Sequence, residues 1–478
     1  MGQSPPVFRV TDQQASHSDI AEYGIDDKPP LREAIPLGIQ HVFAMFLGNV
    51  APPLILAGAI GLSTGNTTFL VQMALIVAGL ATILQAYPVG PVGGGLPIVM
   101  GTSFAFLGAM LTIGNQYGIA AVFGAGLVGA FVEFGFGASI ERFRPYFPPL
   151  VTSVVVILIG LTLVPVGLEY AAGGAGSANF GSLTNLAVAG LVMVVTIYFN
   201  QFFEGLLRVS AVFMGILVGY VVSVPLGLTD FSSVAQAGWI TVPTPLKFGI
   251  AFEPSAILLV SFIYVAVTME SIGNISAIVS VSGRDATMSE LRGGVVADAV
   301  ASAFAALFNA MPNTAFAQNV GLINLTGVAS RYVAAIGGVV LVVLGFVPKI
   351  GAIVSAMPDA VLGGGALIMF GMIFSSGLGM INDEIELTHR NRTILAISVG
   401  LGVAVTVRPD AFASLPASLH PLLEEGVFVG GLSAIGLNWV LPGGCVGVGP
   451  TDDSAGVVSF PDESQEEPAG PQPVSGDD

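Results

Sequence analysis

Few side chains in this sequence can do chemistry, and those that can stand in apolar surroundings. Glu270 sits within Thr268-Met269-Glu270-Ser271-Ile272-Gly273-Asn274, with apolar turns on both sides. A carboxylate in the middle of an apolar span costs about 3 kcal/mol even on lenient scales. That cost points to a working role, as a proton carrier or as the acceptor for a ligand N–H; the alternative is a neutral, internally satisfied Glu. His41, Glu133 and Asp298 are the other ionisable groups in apolar runs. Gln318 offers a donor and an acceptor from one planar amide, a geometry that suits the adjacent N–H and C=O of a purine or pyrimidine edge. It could equally satisfy a broken backbone. Asn319 divides between ligand contact and helix capping. Phe104 and Phe316 are spaced to stack on a planar ligand, with core packing as the alternative.

Two similar breaks must position these groups. Thr102-Ser103-Phe104-Ala105 and Thr314-Ala315-Phe316-Ala317 lie 212 residues apart, and each follows a Gly/Pro interruption. Before the first runs Tyr87-Pro88-Val89-Gly90-Pro91-Val92-Gly93-Gly94-Gly95-Leu96-Pro97; before the second stand Met311-Pro312-Asn313. Proline removes a backbone donor and disfavours helix at the residue before it. Extended entries into two half-helices follow, with 98–104 and 312–317 expected to run as strands that meet. Half-helix N-termini would then point at a common site, where their partial positive charge favours an electron-rich ligand edge.

Composition sets the surroundings. Residues are 53% hydrophobic and 9% charged with a mean hydropathy of +0.84, against about 25% charged in an ordinary soluble domain. Apolar stretches near the ~20 residues that cross a bilayer recur along the chain. The expected spans are 34–61, 67–87, 96–113, 117–140, 150–169, 183–203, 210–228, 254–281, 293–311, 312–328, 331–349, 357–381, 392–408 and 426–442. The fold class is therefore an all-α polytopic membrane protein of fourteen segments, the third and tenth broken by short strands. Polar, acidic residues 1–33 fit no cleavable signal. The single Cys445 excludes a disulfide framework, and the four histidines are too dispersed for a metal cluster. The net charge of −17 belongs mostly to ends and loops. From Val448 onward there are eight acids and no Lys or Arg, the pattern of a disordered acidic tail. Nucleic acid has no basic footprint to bind.

Two halves, 34–228 and 254–442, carry seven segments each. Seven is odd, so the second half enters the membrane from the opposite side and the repeats are inverted. Eleven of fourteen cations fall on the side shared with both termini, which the positive-inside rule makes cytoplasmic.

The run Gln318-Asn319-Val320-Gly321-Leu322-Ile323-Asn324-Leu325-Thr326-Gly327 resembles, at every defined position, the signature of the nucleobase–ascorbate transporter family, which includes uracil and xanthine permeases. Glu270 with Ser-Ile-Gly after it, the Gly101-Thr102-Ser103-Phe104 break and His41 are also similar to this family, over about 34–442. The resemblance implies a core domain (34–140 and 254–349) and a gate domain (150–228 and 350–446), flanked by an N-terminal tail (1–33) and a C-terminal tail (447–478). It implies a plasma-membrane, cation-coupled symporter working by alternating access, with a proton as the usual coupling ion, no cofactor, and a homodimer through the gate. Carried over, Glu270 and Gln318 would clamp the base, and the N–H groups of Phe104 and Ala317 would cap its carbonyls. Asp298 matches an acid important in purine members, and His41 would join the relay. Gln rather than Glu at position 318 favours xanthine or uric acid over uracil.

Two departures bear on mechanism. Asn274, four residues after Glu270, stands where the family often has Asp or His and cannot titrate, so sodium coupling stays open beside proton coupling. Ala105 enlarges the space beside Phe104, where some xanthine carriers have Asn. A sulfate-type anion exchanger is the rival within the fold class, although Glu270 would repel an anion. An enzyme finds no motif: neither a His-Glu-x-x-His helix nor a Gly-x-Ser-x-Gly elbow is present.

Overall fold

The computed structural model describes residues 23–143, 148–281, 284–416 and 419–442. The acidic tail and most of the N-terminal segment lie outside these. The chain opens with α1 (Leu31–Ala59) and α2 (Thr64–Ala86). A stretch holding β1 (Met100–Thr102) and a 3-10 turn at Phe104–Phe106 leads into α3 (Leu107–Tyr117) and α4 (Ile119–Ala138). The one-turn α5 (Ile140–Phe143) precedes α6 (Pro149–Ala171) and α7 (Leu183–Phe202). Next come the one-turn α8 (Leu206–Val209), α9 (Ala211–Ser223) and the short α10 (Ser232–Gln236). The second half begins with α11 (Pro254–Ser280), α12 (Met288–Leu307), β2 (Asn313–Ala315) and α13 (Gln318–Thr326). After α14 (Arg331–Gly345) and α15 (Pro348–Ser355) come α16 (Asp359–Glu384), α17 (His389–Val407), α18 (His420–Leu423) and α19 (Gly426–Val440).

Every expected apolar segment holds a helix or a strand followed by one. By length and hydropathy, seven of the described helices can each cross a membrane: α1, α2, α4, α6, α7, α11 and α16 up to Asn382. An eighth arises if α14 and α15 count as one bent span. That pair corrects the continuous span expected over 331–349, because the chain turns by 82° between them. Proline at the first position of α15 explains the turn: it lacks the N–H that would continue α14 and starts a new helix instead. The expected 349/350 domain boundary therefore falls inside a helix, and that helix packs on α2. The expected N-terminal tail likewise overlaps the start of α1 at Leu31.

Two packing groups result. In one, α2 lies on α14, α12 lies on α4, α1 on α14 and α11 on α4, with the two strands between. In the other, α6 lies along α16, α7 pairs with α9 and α17 with α19. Small residues allow these close approaches. A Cβ on Gly38 of α1 would lie 2.9 Å from the Gly337 nitrogen of α14. One on Gly160 of α6 would lie 2.8 Å from the Phe370 carbonyl of α16.

Candidate functional site

The two strands pair antiparallel, Met100 with Ala315, Gly101 with Thr314 and Thr102 with Asn313. Ser103 N–H to Pro312 C=O (2.9 Å) and Phe316 N–H to Val99 C=O (3.0 Å) extend the ladder at both ends. The outer edges of so short a ribbon need partners from the helices, since lipid offers none. Met100 N–H donates to Thr82 Oγ1 of α2 and Thr102 N–H to Asn49 Oδ1 of α1, each at 2.9 Å. Asn313 N–H donates to Ser302 Oγ of α12 (3.0 Å), and Asn274 Nδ2 of α11 donates to the Ala315 carbonyl (2.9 Å).

Both strands run into helix starts, whose first N–H groups have no partner within their own helix. Phe104 opens the 3-10 turn, capped by Ser103 Oγ accepting from Ala105 N–H. Ala317 is the N-cap of α13 and makes no side-chain cap bond. From there an open stripe runs down α13 through exposed Ala317, half-buried Gln318, exposed Gly321 and exposed Asn324. A Cβ on Gly321 would meet nothing within 4 Å. A matching stripe on α11 comprises half-buried Glu270, exposed Gly273 and half-buried Asn274. Among the described residues, the Glu270 carboxylate and the Gln318 amide make no hydrogen bond. Free polar groups on two stripes beside a strand crossing are what a planar, hydrogen-bonding ligand requires.

The remaining expected residues are placed differently. Asn319 is fully buried, with Nδ2 2.7 Å from His41 Nδ1, also buried. An amide nitrogen only donates, so Nδ1 accepts and the ring proton sits on Nε2. Asn319 thus fastens α13 to α1 behind the open stripe; it does not cap the half-helix. Phe316 is 6% exposed. Its ring fills a notch bared by Gly48 and Gly101, where any Cβ would overlap it. Phe104 is 7% exposed and packs edge-on against Phe370 of α16, with centroids 5.6 Å apart. Asp298 is buried and accepts from Ser271 Oγ at 2.7 Å.

Sequence reasoning missed the anchors Asn49, Thr82, Ser271 and Ser302. Their only signal was a polar side chain inside an apolar helix, which in three of the four is a hydroxyl that also suits helix packing.

The two packing groups touch beyond Phe104. Tyr170 OH of α6 donates to the Ile55 carbonyl of α1 (2.6 Å), and Phe262 of α11 meets Phe428 of α19 at 4.9 Å. A Cβ on Gly108 of α3 would lie 2.9 Å from Glu425 Oε1 at the start of α19. α3 is therefore closed over by the second group, while α13 meets that group at the one-turn α8 and its stripe of Ala317, Gln318, Gly321 and Asn324 stays open. Surface cavities of about 390 and 530 Å³ lie elsewhere, and neither includes Glu270 or Gln318.

The Permease family model Xan_ur_permease matches residues 32–411. A putative purine permease of Clostridium perfringens, CPE0397, is 42% identical over 419 residues, covering 88% of this chain and 92% of that protein. The xanthine permease XanQ of Escherichia coli K12 is 38% identical over 451 residues, 91% and 96% of the two chains. The uric acid permease PucJ of Bacillus subtilis is 38% identical over 408 residues, 84% and 91% of the two. Among solved structures, the transmembrane domain of the cyanobacterial bicarbonate transporter BicA matches with a TM-score of 0.58 at 15% identity. It covers 86% of this chain and all of that domain. The inward-facing murine anion transporter Slc26a9 matches with a TM-score of 0.56 at 14% identity, covering 86% and 68% of the two chains. These two likenesses speak to fold alone.

Proposed function

The chain belongs to the Permease family (Xan_ur_permease), and on that premise we propose that it carries xanthine- and uric-acid-type purines by cation symport. It is a multi-pass nucleobase transporter, not an enzyme. The observation that carries the finer reading is the pair of open stripes beside the strand crossing. Glu270 accepts N–H groups of the base, and Gln318 supplies a donor and an acceptor to the adjoining edge. The backbone N–H groups of Phe104 and Ala317 cap its carbonyls. Proton coupling rests on Glu270, a free carboxylate facing that space.

Alternating access is supported by the asymmetry of closure. The second group covers α3 and the Phe104 turn through Glu425 and Phe370, while α13 meets that group at the one-turn α8 and keeps its stripe open. Rocking the α6–α9 and α16–α19 group, the gate, against the other, the core, would exchange the two. Fourteen segments in inverted repeats are supported by the helix pairing. Exchanging α2 with α12, α4 with α14 and α1 with α11 returns the same set of contacts. Plasma-membrane residence, cytoplasmic termini and a homodimer through the gate helices belong to the same proposal.

Uracil and sulfate-type anions are the alternatives. The likeness to anion transporters favours the latter by fold only, and a carboxylate in the open stripe repels an anion. Proteoliposomes holding the purified protein decide among them, with radiolabelled xanthine uptake competed by unlabelled xanthine, uric acid, uracil and sulfate under imposed pH or sodium gradients. The proposal expects xanthine and uric acid to compete best, and an inward proton gradient to drive accumulation. Stronger competition by uracil than by either purine overturns it.

A further inference from the structure

Behind the strand crossing lies a second carboxylate that the site does not use. Glu133 of α4 is 0% exposed, and neither of its oxygens has a hydrogen-bond partner among the described residues. A neighbouring hydroxyl, Thr268 Oγ1, donates to the Tyr264 carbonyl instead (2.8 Å). The packing register fixes what Glu133 faces. A Cβ on Gly137 would meet Val295 and Val296 of α12, and one on Gly126 would meet Ala306. Between these levels Glu133 stands opposite Asp298, whose Oδ1 is likewise buried without a partner. The other oxygen, Oδ2, accepts from Ser271 Oγ at 2.7 Å, and Ser271 Oγ lies 3.2 Å from Thr314 Oγ1 of β2.

We propose that Glu133 and Asp298 form a proton-sharing carboxyl pair, whose occupancy is passed to β2 through the Ser271 and Thr314 hydroxyls. This rests on the proton-symport reading above and adds to it a site, Glu133, and a route. Two ionised carboxylates facing each other in apolar surroundings repel and are desolvated, so the pair holds a proton between them. Among the described residues no His, Cys or third acid joins them in a metal-binding group. The other titratable groups nearby are few. α11 presents Tyr264, whose OH donates to the Gly126 carbonyl (3.2 Å), and Glu270 beside Asp298. The buried face of α3 carries none, and Glu141 and Arg142 of α5 are exposed.

The route works by reversing a hydrogen-bond chain. With the proton held between Glu133 and Asp298 Oδ1, Asp298 Oδ2 still accepts from Ser271 and Thr314 donates to Ser271. When the proton passes to Asp298 Oδ2 instead, that O–H donates to Ser271, and the Ser271 hydrogen turns to Thr314 Oγ1. The Thr314 hydrogen must then find another acceptor. A hydroxyl serves equally as donor or acceptor, so the switch breaks no covalent bond beyond the proton's own. β2 senses the reversal directly, and Asn274 ties the next residue of that strand to the helix that carries Glu270.

The test uses the full chain in proteoliposomes loaded with a pH-sensitive dye and supplied with radiolabelled xanthine. In the wild type, apparent xanthine affinity should fall about tenfold per pH unit above the titration of the pair, the slope of one linked proton. Glu133→Gln should flatten that slope and abolish proton influx, while Glu133→Asp restores both. Ser271→Ala keeps the pair but cuts the route, and should also flatten the slope. Should Glu133→Gln fail to fold, infrared absorption of the wild type gives an independent reading: a protonated-carboxyl band that Glu133→Asp shifts supports the pair. An unshifted spectrum overturns it. So does a Glu133→Gln protein with wild-type slope and proton influx, or a wild type driven by sodium without proton flux. A wild type that transports no nucleobase, yet shows the shifted band, overturns the transport reading and leaves the pair standing.

Discussion

At the first break, Met100 N–H donates to a hydroxyl of α2; at the second, Asn313 N–H donates to a hydroxyl of α12. In each case the donor is the first residue of its strand, and a helix-borne Asn holds the third: Asn49 for Thr102 and Asn274 for Ala315. Beyond this shared frame the two regions diverge. The first strand runs into Phe104, Ala105 and Phe106, all buried, and α3 is covered. The second runs into the open stripe of Ala317, Gln318, Gly321 and Asn324. Ionisable groups are shared between the halves: Glu270 and Asp298 stand on α11 and α12, and the first half buries His41 on α1 and Glu133 on α4. A duplicated frame thus leaves one copy to hold the crossing rigid and frees the other to face the ligand.

The sharpest way to break this division is Glu270→Gln, which keeps the shape of the side chain and removes its titrating acceptor. Concentrative uptake of xanthine should fall about 100-fold or more, the scale of losing a proton-transfer group. Uptake at wild-type rate would mean that the open stripe on α11 is not where coupling happens. Next in size is Gln318→Glu. The exchange replaces an N–H donor with a second acceptor facing the base. Xanthine and uric acid affinity should weaken about 5- to 150-fold, the worth of one mispaired buried hydrogen bond at about 1–3 kcal/mol. Inhibition constants for the unlabelled bases against labelled xanthine measure it, and an unchanged purine constant would show that Gln318 only satisfies backbone.

A third measurement tests the shared frame. Thr82→Val and Ser302→Ala each orphan the first N–H of a buried strand, so each should cost about 1–3 kcal/mol of stability. Because the two anchors do the same job, their losses in thermal melts of the detergent-solubilised protein should be similar. A large loss for one and none for the other would mean that only one strand depends on its helix.

These anchors also show where the sequence stopped being informative. The repeated tetrapeptides and the prolines before them announced two extended segments, because proline denies the helix a donor and biases its predecessor. The pairing of those segments, with Thr102 opposite Asn313, matches that expectation over 100–102 and 313–315, whereas Phe104, expected to be extended, already opens a 3-10 turn capped by Ser103. Which helix holds which strand was illegible, since Thr82 and Ser302 read as ordinary members of apolar helices. Phe316 was read as a stacking ring from its position after a break. Its burial depends on Gly48, which lies 268 residues earlier and shows its notch only once α1 is in place. Asn319 was weighed as a ligand contact or a cap; its partner His41 stands 278 residues away. The turn between α14 and α15 was different in kind: Pro348 was visible inside the expected span, and hydropathy outweighed it. Glu133 was visible as a buried acid, but nothing along the chain pairs it with a residue on α12.

The smallest effect belongs to the outermost difference between the like-placed helices α2 and α12. Ser63 at the start of α2 makes no cap bond, whereas α12 begins with a full capping box of Thr287 and Glu290. Arg284 closes the box further, at 2.6 and 2.9 Å from the two Glu290 oxygens. The Arg284 hydrogen bonds, then those from Thr287, hold the Glu290 carboxyl down from 4.5 to about 2. A folded-state value below the unfolded one contributes stability that is fully present above the unfolded value. That contribution is lost as pH falls through the folded one. The window here runs from about 4.5 down to about 2, so the cap is complete throughout the neutral range. Glu290→Gln should therefore cost about 1 kcal/mol or less at neutral pH, because Arg284 is partly solvated and the pair is screened. The same variant should remove the part of the acid-induced loss of melting temperature that falls within that window. Xanthine uptake at neutral pH should stay near wild type, since the cap touches neither stripe nor strand. A marked transport defect with an unchanged melt would show instead that the start of α12 moves during the transport cycle, and that the second half does more than carry the site.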